Sequence, residues 1–372
     1  MDQGDSMEIR RARKPSWGIA VLITLLVCAL SILFAWLYKT AWSSGTFGEY
    51  RRVELNGNQE IQTVGNGFVY YNGSSLSLVS DQGDAKWTYM IGANVSFDAS
   101  NSGVAAWSGE TLTILDLENG TPTYSSPMGG EVLSAFVGPK YTAALLGPEH
   151  DSTISILENE GRQVDEIALP DQTVLDYGFF SGGTLFWVMT LDTSGTVPTC
   201  SIATYKPGKM IVGSISDSEQ LMYQVMFQSS QVCVAGTTHL KVYDYTGTEQ
   251  TSKRTLIYGW YLAALDEGAD DPMLALVPDA QYGGSDTMRD VRMIRSNLDQ
   301  VVRMPFGCAT LVAKENNVYG FSNEGYVMVA RAGEKTVAAY DLGLPTGTVY
   351  GVTDNRVAVI GSGNTVYLVT LP

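Results

Sequence analysis

Beyond residue 48 the hydrophobic positions fall in short runs separated by Gly-, Asn- and Asp-containing turns, and the stretch Gly67 to Tyr89 shows the unit most completely. Phe68 to Tyr71 is a β-rich apolar run and Asn72-Gly73 is a strong tight-turn signal. Leu76-Ser77-Leu78-Val79 then resumes a strand with apolar and polar positions partly alternating. Asp81-Gln82-Gly83 turns the chain again, and Trp87-Thr88-Tyr89 opens a further strand.

The same plan recurs to the C-terminus. Strands that end in a turn are expected at Leu76 to Val79, Leu112 to Leu115, Ile154 to Leu157, Ile202 to Tyr205, Leu240 to Tyr243, Val291 to Ile294, Tyr326 to Val329 and Val366 to Val369, which makes eight units. Each follows another apolar strand, such as Val104 to Trp107 or Val318 to Phe321. Further runs, such as Val132 to Val137 and Val174 to Phe180, lie between units. Four short strands in about 41 residues is the size of a propeller blade, and stacking blades radially buries faces that no unit could bury alone. The expectation is an all-β, eight-bladed β-propeller over residues 49–372, with seven as the alternative blade count and a sandwich array or solenoid as the alternative architecture. The last unit stops one strand short, whereas Glu49 to Leu55 is one strand in surplus. Pairing the two would close the ring and remove its exposed edges.

Ahead of the repeats, Trp17 to Tyr38 is a run of 22 uncharged residues. As a helix it would span about 33 Å, enough to cross a bilayer. Arg10, Arg11, Arg13 and Lys14 precede it and only Lys39 closely follows, which places residues 1–16 in the cytoplasm as a short tail. Residues 39–48 then form a linker to an extracellular ring held at the cell membrane.

Composition narrows the function. The formal charge is −16, with a net +2 in the first 40 residues, so the remainder carries −18. Such a field repels phosphate backbones, and a nucleic-acid partner is not expected. Of the four cysteines, Cys28 lies in the apolar segment, leaving Cys200, Cys233 and Cys308 to form at most one bridge. His150 and His239 sit in separate units and suggest neither a zinc centre nor a catalytic triad. Asp266, Glu267, Asp270 and Asp271 concentrate carboxylates before Pro272 and are weak calcium candidates, lacking the D-x-D-x-D-G spacing. Loops longer than a minimal turn are expected at Asp192 to Thr199 and Pro278 to Asp290, where binding surfaces are commonly built.

The turn and strand Asp81-Gln82-Gly83-Asp84-Ala85-Lys86-Trp87 resembles the tryptophan-docking motif of quinoprotein-type (PQQ-like) propeller repeats, with the Trp four places after the Gly. Asn119-Gly120-Thr121-Pro122-Thr123-Tyr124 keeps that spacing with Tyr in place of Trp, whereas the later units carry Asp165, Val212, Thr251 and Val337 there. In the motif the large ring packs between blades and the Gly permits a positive φ in the turn. Tail, span and degenerate propeller together look like the membrane-anchored propellers of Gram-positive bacteria, and the fold is similar to the propeller lipoprotein of outer-membrane assembly machinery. The resemblance implies a noncatalytic binding or scaffolding module, without a cofactor, whose partners are envelope or membrane proteins, with cell-wall glycan a further candidate. Quinoprotein dehydrogenases of this fold use in some members an adjacent cysteine pair, with a calcium site and a catalytic carboxylate, and this chain has no adjacent cysteines and no matching motif around any Asp. An extracellular sensor signalling through a membrane partner and a quinone- or sugar-acting enzyme are the alternatives.

Overall fold

The computed structural model describes residues 24, 26–32 and 50–372, apart from 59, 150, 229–230, 267–269, 285 and 345. Residues 26–32 are helical and exposed, with the Ser31 hydroxyl donating to the Val27 carbonyl at 2.8 Å. The rest of the predicted span Trp17 to Tyr38, the tail and nearly all of the linker lie outside the described residues. Among the described residues no helix is long and apolar enough to cross a membrane.

The remaining chain builds eight four-stranded antiparallel sheets. Blade 1 spans residues 60–90, blade 2 96–127, blade 3 132–170, blade 4 173–217, blade 5 222–256, blade 6 260–308 and blade 7 310–341. Blade 8 combines residues 348–370 with Tyr50–Glu54 as its fourth strand. This is the predicted eight-bladed ring, and the surplus strand closes it as expected. Arg51 pairs with Leu368 and Val53 with Val366, Tyr50 stacks edge-on against Tyr367, and the Thr365 hydroxyl donates to the Glu54 carboxylate.

The first strands of neighbouring blades approach one another around the axis, as between blades 1 and 2 or 6 and 7. Second and third strands are almost wholly buried, because each sheet packs apolar faces against both neighbours. Antiparallel order gives the ring two faces. The lower face carries the turns between first and second and between third and fourth strands; the upper face carries the second-to-third turns and the connections between blades.

The docking resemblance takes physical form at the lower face. Trp87 Nε1 donates to the Leu117 carbonyl of blade 2 at 2.8 Å, and its indole covers Gly120, whose φ is +68°. Tyr124 covers Gly161 of blade 3 in the same way. One extra residue in the fourth strand, Lys86 or Thr123, precedes each ring and forms a β-bulge. Where no ring is available, hydrogen bonds replace it: Gly208 N–H donates to Asp165 Oδ2 at 2.9 Å, and Gly333 N–H to Gln300 Oε1 at 3.2 Å. The closing strand obeys the same rule, with Val53 against Gly83 and Arg51 donating to the Gln82 carbonyl at 2.7 Å.

Candidate functional site

The first strands of blades 3, 4, 5, 6 and 8 each carry a β-bulge; those of blades 3, 4 and 5 fall toward the upper mouth of the central channel, whereas those of blades 6 and 8 lie lower in the strand. The extra residues are Leu133, Leu175, Tyr223, Ala263 and Tyr350. A bulge takes a residue out of the ladder and re-aims its side chain. Leu133 and Leu175 are left exposed there, and Met90, Leu221, Tyr258 and Tyr261 add exposed apolar surface to the same face.

Blades 5 and 6 turn this surface into a pocket of about 620 Å³ lined by Tyr223, Gln224, Thr237, Tyr258, Trp260, Tyr261 and Asp279. Its walls come from three places. The connection between the blades is pulled tight by Trp260 N–H donating to the Ile257 carbonyl, with Gly259 at φ +80°, so that Tyr258 projects with 74% of its surface exposed. The bulge in Met222–Gln228 places Tyr223, whose ring lies 6.4 Å from that of Tyr261 and within 6° of parallel. The long loop between the second and third strands of blade 6 brings Tyr282 to within 3.7 Å of Tyr261, centroid to centroid. Gln281 pins that loop by donating to Asp290 Oδ2 and accepting from the Arg289 and Asp290 amides. A hydrogen bond with Tyr261, then burial, raises the Tyr282 phenol pKa, and burial first raises that of Tyr223. Arg292 lies over Trp260 at 5.7 Å while paired with Asp299.

The expected loop Pro278 to Asp290 is therefore part of the site. Asp192 to Thr199 is not: Asp192 closes its own turn by accepting from Ser194, and only Val197 stands out as an exposed apolar side chain. The aromatic pocket itself has no sequence motif, since Tyr223, Trp260 and Tyr261 read simply as strand residues.

Two other concavities differ in character. The lower channel mouth, about 690 Å³, is polar and crossed by the Lys314–Asp354 ion pair at 2.6 Å. A cleft of about 370 Å³ opens between blades 5 and 6, where the fourth strand of blade 5 shrinks to Thr255–Leu256. Cys233 and Asp271 line it.

The carboxylate run does not converge. Asp266 is buried and accepts from the Glu315 amide at 2.6 Å; Asp271 accepts from Gln228 and from the Ser296 amide and hydroxyl; Asp270 is exposed and Glu267 lies outside the described residues. Among the described residues no group of three or more His, Cys, Asp or Glu side chains could hold a metal ion. His239 is tied to Thr238 and, through its amide, to Gln220 at the start of a third strand, and His150 lies outside the described residues. Cys200, Cys233 and Cys308 are buried and free, so none of them is bridged.

No family model matches the chain, and no curated protein matches it. Solved structures do. The computationally designed Ika8 protein is 14% identical with a TM-score of 0.59, covering 86% of this chain and 99% of its own. The C-terminal WD40 domain of Sif2 is 11% identical at TM-score 0.58, covering 88% and 100%, and BamB from Moraxella catarrhalis is 12% identical at 0.54, covering 86% and 98%. At such identities the likeness establishes the fold, a β-propeller.

Proposed function

We propose that this protein is a noncatalytic binding or scaffolding module whose upper face docks an envelope or membrane protein. In this reading Trp17 to Tyr38 anchors the chain in the cell membrane, residues 1–16 are cytoplasmic and the ring is extracellular, in the manner of the membrane-anchored quinoprotein-like propellers. The Trp87-on-Gly120 packing supports that kinship. The observation that carries the docking role is the repeated bulge in the innermost strands, which leaves Leu133 and Leu175 exposed beside one channel mouth. Water-exposed leucines there cost solubility and gain free energy only when covered.

Copurification from crosslinked, detergent-solubilised membranes tests the reading. A partner should be recovered with the natural chain and with a Met210→Ser/Ile211→Ser control on the outer edge, and lost with Leu133→Ser/Leu175→Ser. Recovery unaffected by the leucine changes would remove the docking role. Labelling of residues beyond Lys39 only from the cytosolic side would remove the topology.

A further inference from the structure

We infer that the aromatic pocket of blades 5 and 6 is a saccharide site that takes a neutral pyranose unit of a glycan chain. This goes beyond the protein-docking reading and does not depend on it. Three properties point to a sugar. First, the lining rings form an open platform: Tyr258 is 74% exposed and Tyr261, braced by Tyr282, 43%, too uncovered to enclose and desolvate a small cation, for which rings must close over the charge. A flat exposed ring suits the C–H face of a pyranose, which is apolar while its rim is polar.

Second, the polar groups at the rim are mixed. Gln224 brings an amide, Thr237 a hydroxyl and Asp279 a carboxylate. A sugar hydroxyl both donates and accepts, so it needs such a set, and few polar groups among aromatic walls are the usual means of orienting a ligand. Third, the pocket is preformed. Gln281 holds the loop that carries Tyr282, and Tyr261 and Tyr282 brace each other, so little ordering remains for a weakly held ligand to drive. Its volume, about 620 Å³, falls within the span of small-ligand sites. Charge selects among saccharides: Asp279 at the rim and a total of −16 disfavour anionic sugars.

The test is a neutral-glycan array followed by ligand-observed NMR titration of the full chain in detergent with cellotetraose and with the tetramer of N-acetylglucosamine. Saturable binding of a neutral saccharide is expected, weakened about tenfold or more by Tyr258→Ala or Tyr261→Ala, as loss of a stacking ring implies. Tyr258→Phe, which keeps the ring, should bind nearly as the natural chain does. Leu133→Ser/Leu175→Ser should leave sugar binding intact, separating this site from protein docking. The proposal is overturned if no neutral saccharide on the array binds, or if the tyrosine-to-alanine variants bind equally. It is equally overturned if tetramethylammonium or oligoproline saturates the pocket while sugars do not.

Discussion

Trp87 of blade 1 lies on Gly120 of blade 2 so closely that a methyl group on Gly120 would fall 2.5 Å from the indole. The ring fills the space that the glycine leaves, and without a Cβ the glycine occupies φ +68° free of strain. Neighbouring sheets are thus keyed together by a pair of residues 33 positions apart, one from each sheet.

A double-mutant cycle should expose that coupling. Trp87→Ala removes a buried aromatic and its bond to Leu117, a loss of about 3–5 kcal/mol. Gly120→Ala alone combines backbone strain with displacement of the ring, about 2–4 kcal/mol. In the Trp87→Ala background the clash is gone and only strain of about 1 kcal/mol remains. Urea midpoints of the four proteins measure this, and strict additivity would show that the contact is incidental.

Closure makes a second prediction. Tyr50–Glu54 completes blade 8 and also docks on blade 1 through Arg51 and Val53, so one strand secures two interfaces. Removing residues 50–54 should leave Thr365–Thr370 as a bare edge, lower the melting temperature and produce concentration-dependent association in light scattering. Val53→Asp, which keeps the strand but charges its contact with Gly83, should destabilise without association. Equal solubility and melting of the shortened chain would mean that the ring does not need its clasp.

The architecture was legible for a physical reason. Short apolar runs ended by turn residues recur wherever a buried strand must reverse, so Leu76 to Val79 and its seven counterparts align by spacing alone, whatever they pack against. The surplus strand was legible by the same logic, since an unpaired edge demands a partner. The upper-face site was legible only in its long loop, Pro278 to Asp290. A bulge at Leu133 or Tyr223 adds one residue to one strand and leaves no compositional trace, because the pairing that defines it belongs to the neighbouring strand. Asp266 and Asp271 show the converse: close in sequence, they are engaged by partners on different segments.

A third prediction concerns Lys241 and Asp217, joined at 2.7 Å across blades 5 and 4 with side chains only 5% and 2% exposed. Burial opposes both charges, but the bond to Lys241 still holds Asp217 below its ordinary value, and the bonds to Asp217 and Glu219 hold Lys241 above its own. Asp217 therefore contributes stability above about pH 4 that is lost as pH falls through its depressed value; Lys241 contributes stability below about pH 10 that is lost as pH rises through its raised one. Lys241→Ala should cost about 3–5 kcal/mol near pH 7, leaving a buried carboxylate alone, whereas Lys241→Met with Asp217→Leu should restore most of it. Denaturant melts across pH would refute the pairing if the Lys241→Ala penalty were unchanged at acid pH.

The buried thiols supply the last prediction. Burial pushes Cys233 up to about 11 and Cys308 up to about 12. At pH 8 the nucleophilic thiolate is then only about one part in a thousand for Cys233 and one in ten thousand for Cys308, before access is considered. Cys308 is also wedged against Gly320, where any added side chain would strike its sulfur. Ellman's reagent should therefore modify Cys233 and Cys308 far more slowly in the native ring than in urea, and burial alone should shield Cys200 in the same way. Reductant should not move the melting temperature, because no bridge joins these three residues. Rapid native modification of Cys308, or a reductant-sensitive melt, would contradict the packing between blades 6 and 7 on which this account of the ring depends.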